Sequence, residues 1–595
     1  MPLTRLANFL WFGVLPCVLT LTISTSVGGF GAAIQAESGG AATTAYERGV
    51  AAVQRGDLGA AQTDFEQAIR LRPGAAEYQN ALAQVLLQRG DLDGAVTRLR
   101  VVTKLTPDDA QAHLYLGQTL AAKGALDEGI AEMREAAKLA PRDAEVHRQL
   151  ARTLSLEAKT DEALVEMKLA ADLAPQRADL HDEVGVLLAQ KGQFAQAQGE
   201  FRKSLAIDPK YQPAMFHLGV AFLTSGDNDD AKQMLTEATQ ANPQDALGFY
   251  YLGNALEAKK DNADAIRAYQ HATEIKPDLL PAQKHLGMLL QHSGDPEKAA
   301  VAFRKVVELT PSDPDAHNNL GLVLMQLGQG PEATKEFQEA LKLRPDDAAF
   351  RGNLATMLLQ KSDFDAAQDQ LQQALKREPD NASLHYDLAL ALKFQDNLPG
   401  AIAEFQRAIQ LDPNLADAYY SLGVTLWQKG DFPAAAEQLQ HAVEVKPDYA
   451  EAYYTLGTVY KQLNKLPQAA QALREAIRLQ PSFPGAHTTL GAVLRQQGDT
   501  AGADAESRTG EQLAKQKTSL QAAIFATNSG NHLLNVGDID GAISQLRNAV
   551  KLSPNYAVAH YQLAVALSRK GERTEAAQEF QKAAELDPRL KPPTP

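Results

Sequence analysis

Cysteine is almost absent from this sequence. The 595 residues contain one, Cys17, inside an apolar N-terminal run. If that run is removed, the remaining chain has no cysteine, which excludes disulfides, a thiol nucleophile and cysteine metal sites from it.

Aromatic residues are also scarce, at 6% of the chain, and alanine, leucine and glutamine dominate over the β-branched residues that strands favour. This composition predicts a mostly helical protein. The net charge is −15, and it becomes −16 without Arg5. A surface of this sign disfavours nucleic acid and anionic membranes as partners and favours neutral or basic proteins.

The N-terminus has the features of a secretory signal. Arg5 precedes an apolar run from Leu6 to Ile23, and small residues follow, with cleavage expected after Ala36 or Ala33. We therefore expect a signal peptide at 1–36, a linker at 37–41 and a periplasmic or secreted mature protein. The alternative is an uncleaved membrane anchor. A lipid anchor on Cys17 is disfavoured, because Pro16 stands where a bacterial-type lipoprotein signal has a small residue.

Familiar enzymatic signatures are missing. The sequence has no GxxxxGK phosphate loop, no HExxH, no GxSxG and no CxxC. Nearly every residue has a place in the repeat described next, which leaves no separate catalytic domain. We expect no enzymatic activity, no cofactor and no metal.

Prolines divide the chain into repeats of 34 residues. They recur at this interval at positions 73, 107, 141, 175, 209, 243, 277, 311, 345, 379, 413, 447 and 481. With proline at column 32, column 8 is glycine or alanine, column 20 is almost always alanine, column 24 is often aromatic, and column 27 is small. Alternating large and small side chains allow two helices to pack closely, so each unit is predicted to be a helical hairpin.

Turn residues fall where a hairpin needs them. Gly-Asp at columns 15 and 16, as in Gly56-Asp57, supplies a left-handed C-cap and a turn. Prolines at column 18, such as Pro331 and Pro433, suit the first turn of a second helix. The column-32 proline ends that helix, and aspartates such as Asp109 can cap the next one.

This pattern resembles the tetratricopeptide repeat family, through small column 8, Ala at 20, an aromatic at 24, Ala at 27 and Pro at 32. The resemblance implies an all-α, right-handed α-solenoid (superhelix) of about 16 helix-turn-helix hairpins. We place repeats 1–14 at 42–517, an insertion at 518–522, repeats 15 and 16 at 523–590, and a tail at 591–595. The fourteenth repeat departs from the pattern, because it lacks the column-24 aromatic and the closing proline.

Histidine at column 4 is a second departure, since the family often has tryptophan there. The positions are His113, His147, His181, His317, His385, His487 and His560. Equivalent residues of neighbouring hairpins stand about 10 Å apart, which is too far for two to share a metal ion. We interpret them as partly buried rings that fill the tryptophan slot.

The stretch from Ala416 to Gly430 carries two stripes on one helix. Tyr419, Leu422, Gly423 and Leu426 occupy columns that are apolar or small in nearly every repeat, so they are predicted to be core. Tyr420, Val424 and Trp427 occupy columns 5, 9 and 12, which are polar or variable elsewhere.

In the family, columns 2, 5, 9 and 12 line the concave groove. The resemblance therefore predicts a binding strip, which we call the aromatic strip: Tyr386, Lys393, Tyr420, Trp427, Tyr454 and Lys461. Aromatic anchors of this kind dominate binding energies. The alternative is that these rings pack on one another or on a loop. Phe216 with Tyr250 is a smaller second candidate, and the chaperone-tail clamp of some family members is missing, since Lys284 is followed by Met288.

These observations predict a non-enzymatic scaffold that binds a peptide or protein in the groove of the solenoid. One alternative is an accessory arm of an envelope glycosyltransferase or of a polysaccharide-export or secretion complex. Another is direct polysaccharide binding by the same aromatic residues.

Overall fold

A computed structural model describes residues 40–590, so the predicted signal peptide and the tail at 591–595 lie outside the described residues. The described part contains helices and turns and no strand. It divides into two compact units, one ending at Pro311 and one beginning at Ser312. The prediction of an all-α solenoid is confirmed.

The first unit contains sixteen helices in eight antiparallel pairs. Their bounds are α1 Ala41–Gln54, α2 Leu58–Leu71, α3 Ala76–Gln88, α4 Leu92–Leu105, α5 Ala110–Ala122, α6 Leu126–Leu139, α7 Ala144–Leu156, α8 Thr160–Leu173, α9 Ala178–Gln190, α10 Phe194–Ile207, α11 Gln212–Ser225, α12 Asn228–Ala241, α13 Ala246–Ala258, α14 Asn262–Ile275, α15 Leu280–His292 and α16 Pro296–Leu309.

The second unit, as far as Leu590, contains fifteen helices. Their bounds are α17 Pro314–Gln326, α18 Gly330–Leu343, α19 Ala348–Gln360, α20 Phe364–Arg377, α21 Ala382–Phe394, α22 Leu398–Leu411, α23 Ala416–Lys429, α24 Phe432–Val445, α25 Ala450–Gln462, α26 Leu466–Leu479, α27 Pro484–Gln497, α28 Thr500–Val536, α29 Ile539–Leu552, α30 Ala557–Lys570 and α31 Arg573–Leu586.

Columns 8 and 24 hold the two helices of a hairpin together. Phe201 is fully buried, and its ring covers Gly185, where an added Cβ would collide with the ring. Gly56, with φ +77°, forms the left-handed turn between α1 and α2, and the Asp57 carboxylate accepts a hydrogen bond from the Ala60 amide at 2.9 Å. The small and aromatic columns therefore have the packing roles that their spacing predicts.

The joint between repeats 14 and 15 differs from its prediction. The spacing predicts an insertion at 518–522, whereas these residues lie within α28, a single helix of 37 residues. Lys515 stands at column 32 in place of proline, so nothing stops the helix there. The helix α28 contacts α27 on one side and α29 on the other, and thus serves both repeats. For this reason residues 40–590 contain 31 helices, one fewer than sixteen separate hairpins require.

No helix between residues 40 and 590 has both the length and the apolar character needed to cross a membrane.

Candidate functional site

The helix α23 separates the two predicted stripes. Leu422, Gly423 and Leu426 are buried, whereas Tyr419 is only half-buried. Tyr420 and Trp427 on the second stripe are also half-buried. The core prediction is thus confirmed for three of its four residues, and the second stripe keeps part of its aromatic surface accessible.

The other members of the aromatic strip share this exposure. Tyr386 and Lys393 on α21, and Tyr454 and Lys461 on α25, are all half-buried. Tyr386 reaches the next repeat, since its hydroxyl lies 3.4 Å from the Ser421 Oγ. The strip therefore consists of side chains that are partly packed against the protein and partly exposed to solvent.

Two rings of the strip pack on the turn that follows their own repeat. The ring centroids of Tyr420 and Tyr449 lie 5.1 Å apart, and those of Tyr454 and Phe483 lie 4.7 Å apart. Tyr449 and Phe483 both stand at column 34, so this contact repeats with the period of the array. Packing on a loop, the alternative interpretation, therefore accounts for part of the surface of these rings, and the rest remains partly exposed.

Tyr449 and Asp417 were not predicted as site residues, yet Tyr449 packs on Tyr420 of the strip and bonds to Asp417. Burial raises the pKa of the Tyr449 hydroxyl, and a hydrogen bond to the Asp417 carboxylate and its charge add to this effect. The Lys446 Nζ lies 4.5 Å from the centre of the Tyr449 ring. An aromatic residue at column 34, after a column-5 tyrosine, was the sequence signal that could have revealed this cluster.

Two ionisable groups on α21 are partly buried without a nearby opposite charge. Burial alone lowers the pKa of the Lys393 ammonium and raises the pKa of the Asp387 carboxyl to about 6. Such groups are destabilising in their charged forms unless a partner compensates them. Asp387 was not predicted as a site residue, because nothing in its column marks it as unusual.

The smaller candidate, Phe216 with Tyr250, is placed differently. Phe216 is 7% exposed and Tyr250 is 3% exposed, and both rings pack against Tyr251, with centroid distances of 5.6 and 4.9 Å. These two side chains are core residues in the structure and do not form an exposed docking surface. Their columns gave no sign of this burial, because it comes from neighbouring rings: Tyr251 packs on both side chains, and Tyr269 lies 6.0 Å from Tyr250.

A partly buried charge network lies next to Phe216 in the first unit. The Glu183 carboxylate accepts hydrogen bonds from Arg148 Nε at 2.9 Å and from Arg152 Nη2 at 2.7 Å. Asp182 lies 2.8 Å from Nδ1 of His217. These groups border a cavity of about 170 Å³, and their charges are compensated within the network.

The column-4 histidines are buried or nearly so, as predicted, and they form hydrogen bonds that were not predicted. The Nδ1 of His147 lies 2.6 Å from the Glu166 carboxylate, and its Nε2 lies 3.3 Å from the carbonyl oxygen of Pro141. The same glutamate contact, 19 residues along the chain, occurs at His113, His181, His317, His385, His487 and His560. We call this arrangement the histidine clamp.

The clamp joins both helices of a repeat to the turn before it. Glutamate recurs at column 23 after these histidines, whereas Tyr419 is followed 19 residues later by Gln438. This pairing was the sequence signal that could have revealed the clamp. No cluster of three or more metal-ligating residues occurs between residues 40 and 590.

Family models for tetratricopeptide repeats match most of the sequence. One of them matches residues 46–99, 394–450, 420–482, 454–508 and 527–590, and others match 83–124, 188–250 and 249–279. The chain belongs to the tetratricopeptide repeat family. A further model, the TPR domain of cytochrome c-type biogenesis protein H, matches 295–419. Tetratricopeptide repeat folds are in general non-catalytic scaffolds that mediate protein interactions.

Several solved structures are similar to this chain. A tetratricopeptide repeat protein from Parabacteroides merdae is 17% identical, covers 42% of this chain and 98% of its own, and has a TM-score of 0.34. Yeast Tom70 is 15% identical, with coverages of 77% and 96% and a TM-score of 0.31. YrrB, described as having an unusual peptide-binding site, is 23% identical, with coverages of 30% and 93% and a TM-score of 0.29. No curated protein sequence matches the chain significantly.

Proposed function

We propose that this protein is a non-enzymatic scaffold that binds a protein or peptide across the aromatic strip. The observation that carries the proposal is the accessible part of Tyr386, Tyr420 and Tyr454, which stand at the same column of three successive repeats. The repeat pattern does not require an aromatic residue at this column. Half-buried aromatic side chains held by neighbouring residues lose little entropy on binding, which favours them as anchors.

The net charge of the chain and the uncompensated Asp387 carboxyl support a neutral or basic partner. The chain carries a net charge of −15, and Asp387 is a partly buried carboxyl without a nearby cation. A lysine or arginine of the partner would compensate this carboxyl and would favour its ionised form.

We also propose that the protein is exported and acts in the periplasm or outside the cell. The sequence from Arg5 to Ala36 supports this location. An accessory arm of an envelope glycosyltransferase or export complex would use the same strip, and the identity of the bound partner distinguishes that role from a general scaffold.

Site-specific photocrosslinking tests the strip. A photoreactive phenylalanine analogue at position 427 is expected to capture a defined partner in cells of the native host. The same analogue at position 394 is the control, because Phe394 is 57% exposed and lies outside the strip, stacked on Phe364. Equal capture at both positions would contradict the proposal.

Mutation then measures the contribution of one ring. With the purified partner, Tyr420→Ala is expected to weaken binding by about 2 kcal/mol, or roughly thirtyfold in Kd. Phe394→Ala should leave Kd unchanged. Thermal unfolding of both variants checks that loss of the Tyr420 contact with Tyr449 does not unfold the repeat. An unchanged Kd for a folded Tyr420→Ala variant would exclude this ring as an anchor.

A further inference from the structure

The continuous helix α28 removes a turn that occurs at the other joints between repeats in residues 40–590. At a regular joint the column-32 proline ends the second helix, and a short turn leads to the next repeat. At the joint after repeat 14, Lys515 replaces that proline and the chain remains helical from Thr500 to Val536. The volume that a turn would fill is therefore left open.

This open volume is a cleft of about 910 Å³ in the second unit. Its sides are the turn at 480–484, the turn at 552–555 and the middle of α28 at 512–520. Its size lies at the upper end of the range for ligand pockets, 300–1,000 Å³. Residues 514–518 of α28 are exposed to solvent, so the cleft is open along the helix.

The cleft is basic, in contrast to the chain as a whole. Lys515 and Lys517 border it, and neither has an ion-pair partner within residues 40–590. Glu451 is the one carboxylate among the lining residues, so the lining carries a net positive charge within a chain of net charge −15. Many exposed lysines elsewhere are paired, as Lys123 is with Asp93 at 2.5 Å.

The rest of the lining suits an extended polypeptide. Amide side chains from Gln480, Gln512 and Gln516 can bond to a peptide backbone, and Phe483 and Leu520 offer apolar contact. The turns that fill this position at most other joints contain aspartate, as in Pro345-Asp346-Asp347. An acidic segment would thus replace the missing turn in both shape and charge.

We propose that this cleft binds an acidic, extended segment of a partner protein, with Lys515 and Lys517 contacting its carboxylates. The cleft adjoins the aromatic strip at Phe483, which packs on Tyr454, but Lys515 and Lys517 lie outside the strip, so the two proposals can fail independently. Because the lysines are exposed and the remaining chain is acidic, the attraction is local and is expected to weaken as salt concentration rises.

Fluorescence anisotropy with labelled peptides tests this proposal on the full chain. The probe is a blocked peptide, Pro-Asp-Asp-Pro-Asp-Glu-Pro, and its neutral counterpart carries asparagine and glutamine in place of the acidic residues. We expect the acidic probe to bind at least about tenfold more tightly than the neutral one. Lys515→Glu/Lys517→Glu is expected to weaken its binding by about tenfold or more.

Matched variants separate the cleft from general charge effects. Lys335→Glu/Lys376→Glu makes the same charge change at two exposed lysines of the second unit that lie outside the cleft, and it should leave binding unchanged. Gln516→Trp fills the cleft without altering charge and should also weaken binding. Tyr420→Ala should have no effect, because it belongs to the strip.

Three results would overturn the proposal. They are equal binding of the acidic and neutral probes, equal binding by the wild type and the cleft double variant, and sedimentation that shows a dimer lost in that double variant. The last result would assign the cleft to a second copy of this chain.

Discussion

The regular joints between repeats and the joint at Lys515 differ in whether the helix ends. At a regular joint, a proline ends the helix and the next repeat starts after a turn. At Lys515 the helix continues, yet the fourteenth repeat keeps its histidine clamp, with Nδ1 of His487 2.6 Å from Glu506 and Nε2 2.9 Å from the Pro481 carbonyl oxygen. The histidine clamp of a repeat is therefore independent of how that repeat is connected to the next one.

The difference extends to the column-24 contact. In the fifth repeat, the buried Phe201 covers Gly185, whereas in the fourteenth the same column holds Ser507, next to Gly491. Small side chains bring α27 and α28 together there, since a Cβ at Gly510 would collide with Thr488. We conclude that the irregular repeat depends on close approach of backbones more than on a large aromatic side chain.

The largest expected effect comes from removing the column-24 side chain. Phe201→Ala should destabilise its repeat by about 3–5 kcal/mol, because it leaves a cavity in a fully buried site. Ser507→Ala should cost less than about 1 kcal/mol, because Ser507 fills little of the core. Hydrogen exchange of α9 and α10, compared with α27 and α28, measures both local changes. Similar losses at the two positions would contradict the comparison.

The helix at the irregular joint can be broken directly. Lys515→Pro should destabilise the middle of α28 by about 3 kcal/mol, because proline removes an amide donor and clashes with the preceding turn. Lys515→Ala removes the same charge and should leave the helix intact. Chymotrypsin cleavage near the exposed Phe525 is expected to rise in the proline variant alone. Equal cleavage of the two variants would mean that the helix does not depend on residue 515.

Sequence periodicity was sufficient to predict the hairpins because packing repeats with the same period. Columns 8, 20 and 24 keep their residue types, and those types determine how two helices approach. The helix through 518–522 was not predicted, because five residues outside the 34-residue period were interpreted as an insertion. The absence of proline at Lys515 and the helix-favouring residues around it, AKQKTSLQAA, carried the correct signal.

The site was predicted less completely than the fold. The columns correctly identified Leu422, Gly423 and Leu426 as buried on α23, but they also placed the half-buried Tyr419 in the core. They could not show that Tyr250 is enclosed by Tyr251 and Tyr269. Burial at such a position depends on the residues of neighbouring helices, not on the column itself. Whether Asp387 meets an opposite charge likewise depends on the residues of neighbouring helices.

The histidine clamp offers a test of what the two kinds of repeat share. His147→Leu and His487→Leu should each cost about 1–2 kcal/mol, because each removes a ring whose nitrogens lie within hydrogen-bond distance of a glutamate carboxylate and a carbonyl oxygen. Local unfolding measured by hydrogen exchange in α7–α8 and α27–α28 provides the comparison. A much smaller loss for His487→Leu would indicate that the irregular joint has weakened the clamp. Glu166→Gln and Glu506→Gln should likewise destabilise the two repeats by similar amounts.

The smallest expected effect concerns Asp387, a partly buried carboxyl without a nearby cation in a regular repeat. Its folded-state pKa of about 6 lies above the ordinary aspartate value, so the native protein binds this proton more tightly than the unfolded chain does. The protonated carboxyl therefore contributes stability at pH 4, and this contribution is lost as pH rises from about 4 to 6. Asp387→Asn removes the cost of ionisation, so at pH 7.5 the variant should be more stable than the wild type by about 1 kcal/mol, a value reduced for partial exposure.

Asp448→Asn, at an exposed turn before α25, is the matched control and should leave the stability unchanged at both pH values. A stability difference between wild type and Asp387→Asn that is the same at pH 4 and pH 7.5 would show that this carboxyl is not held in a partly buried, uncompensated position, and would remove the charge argument for a basic partner at the strip.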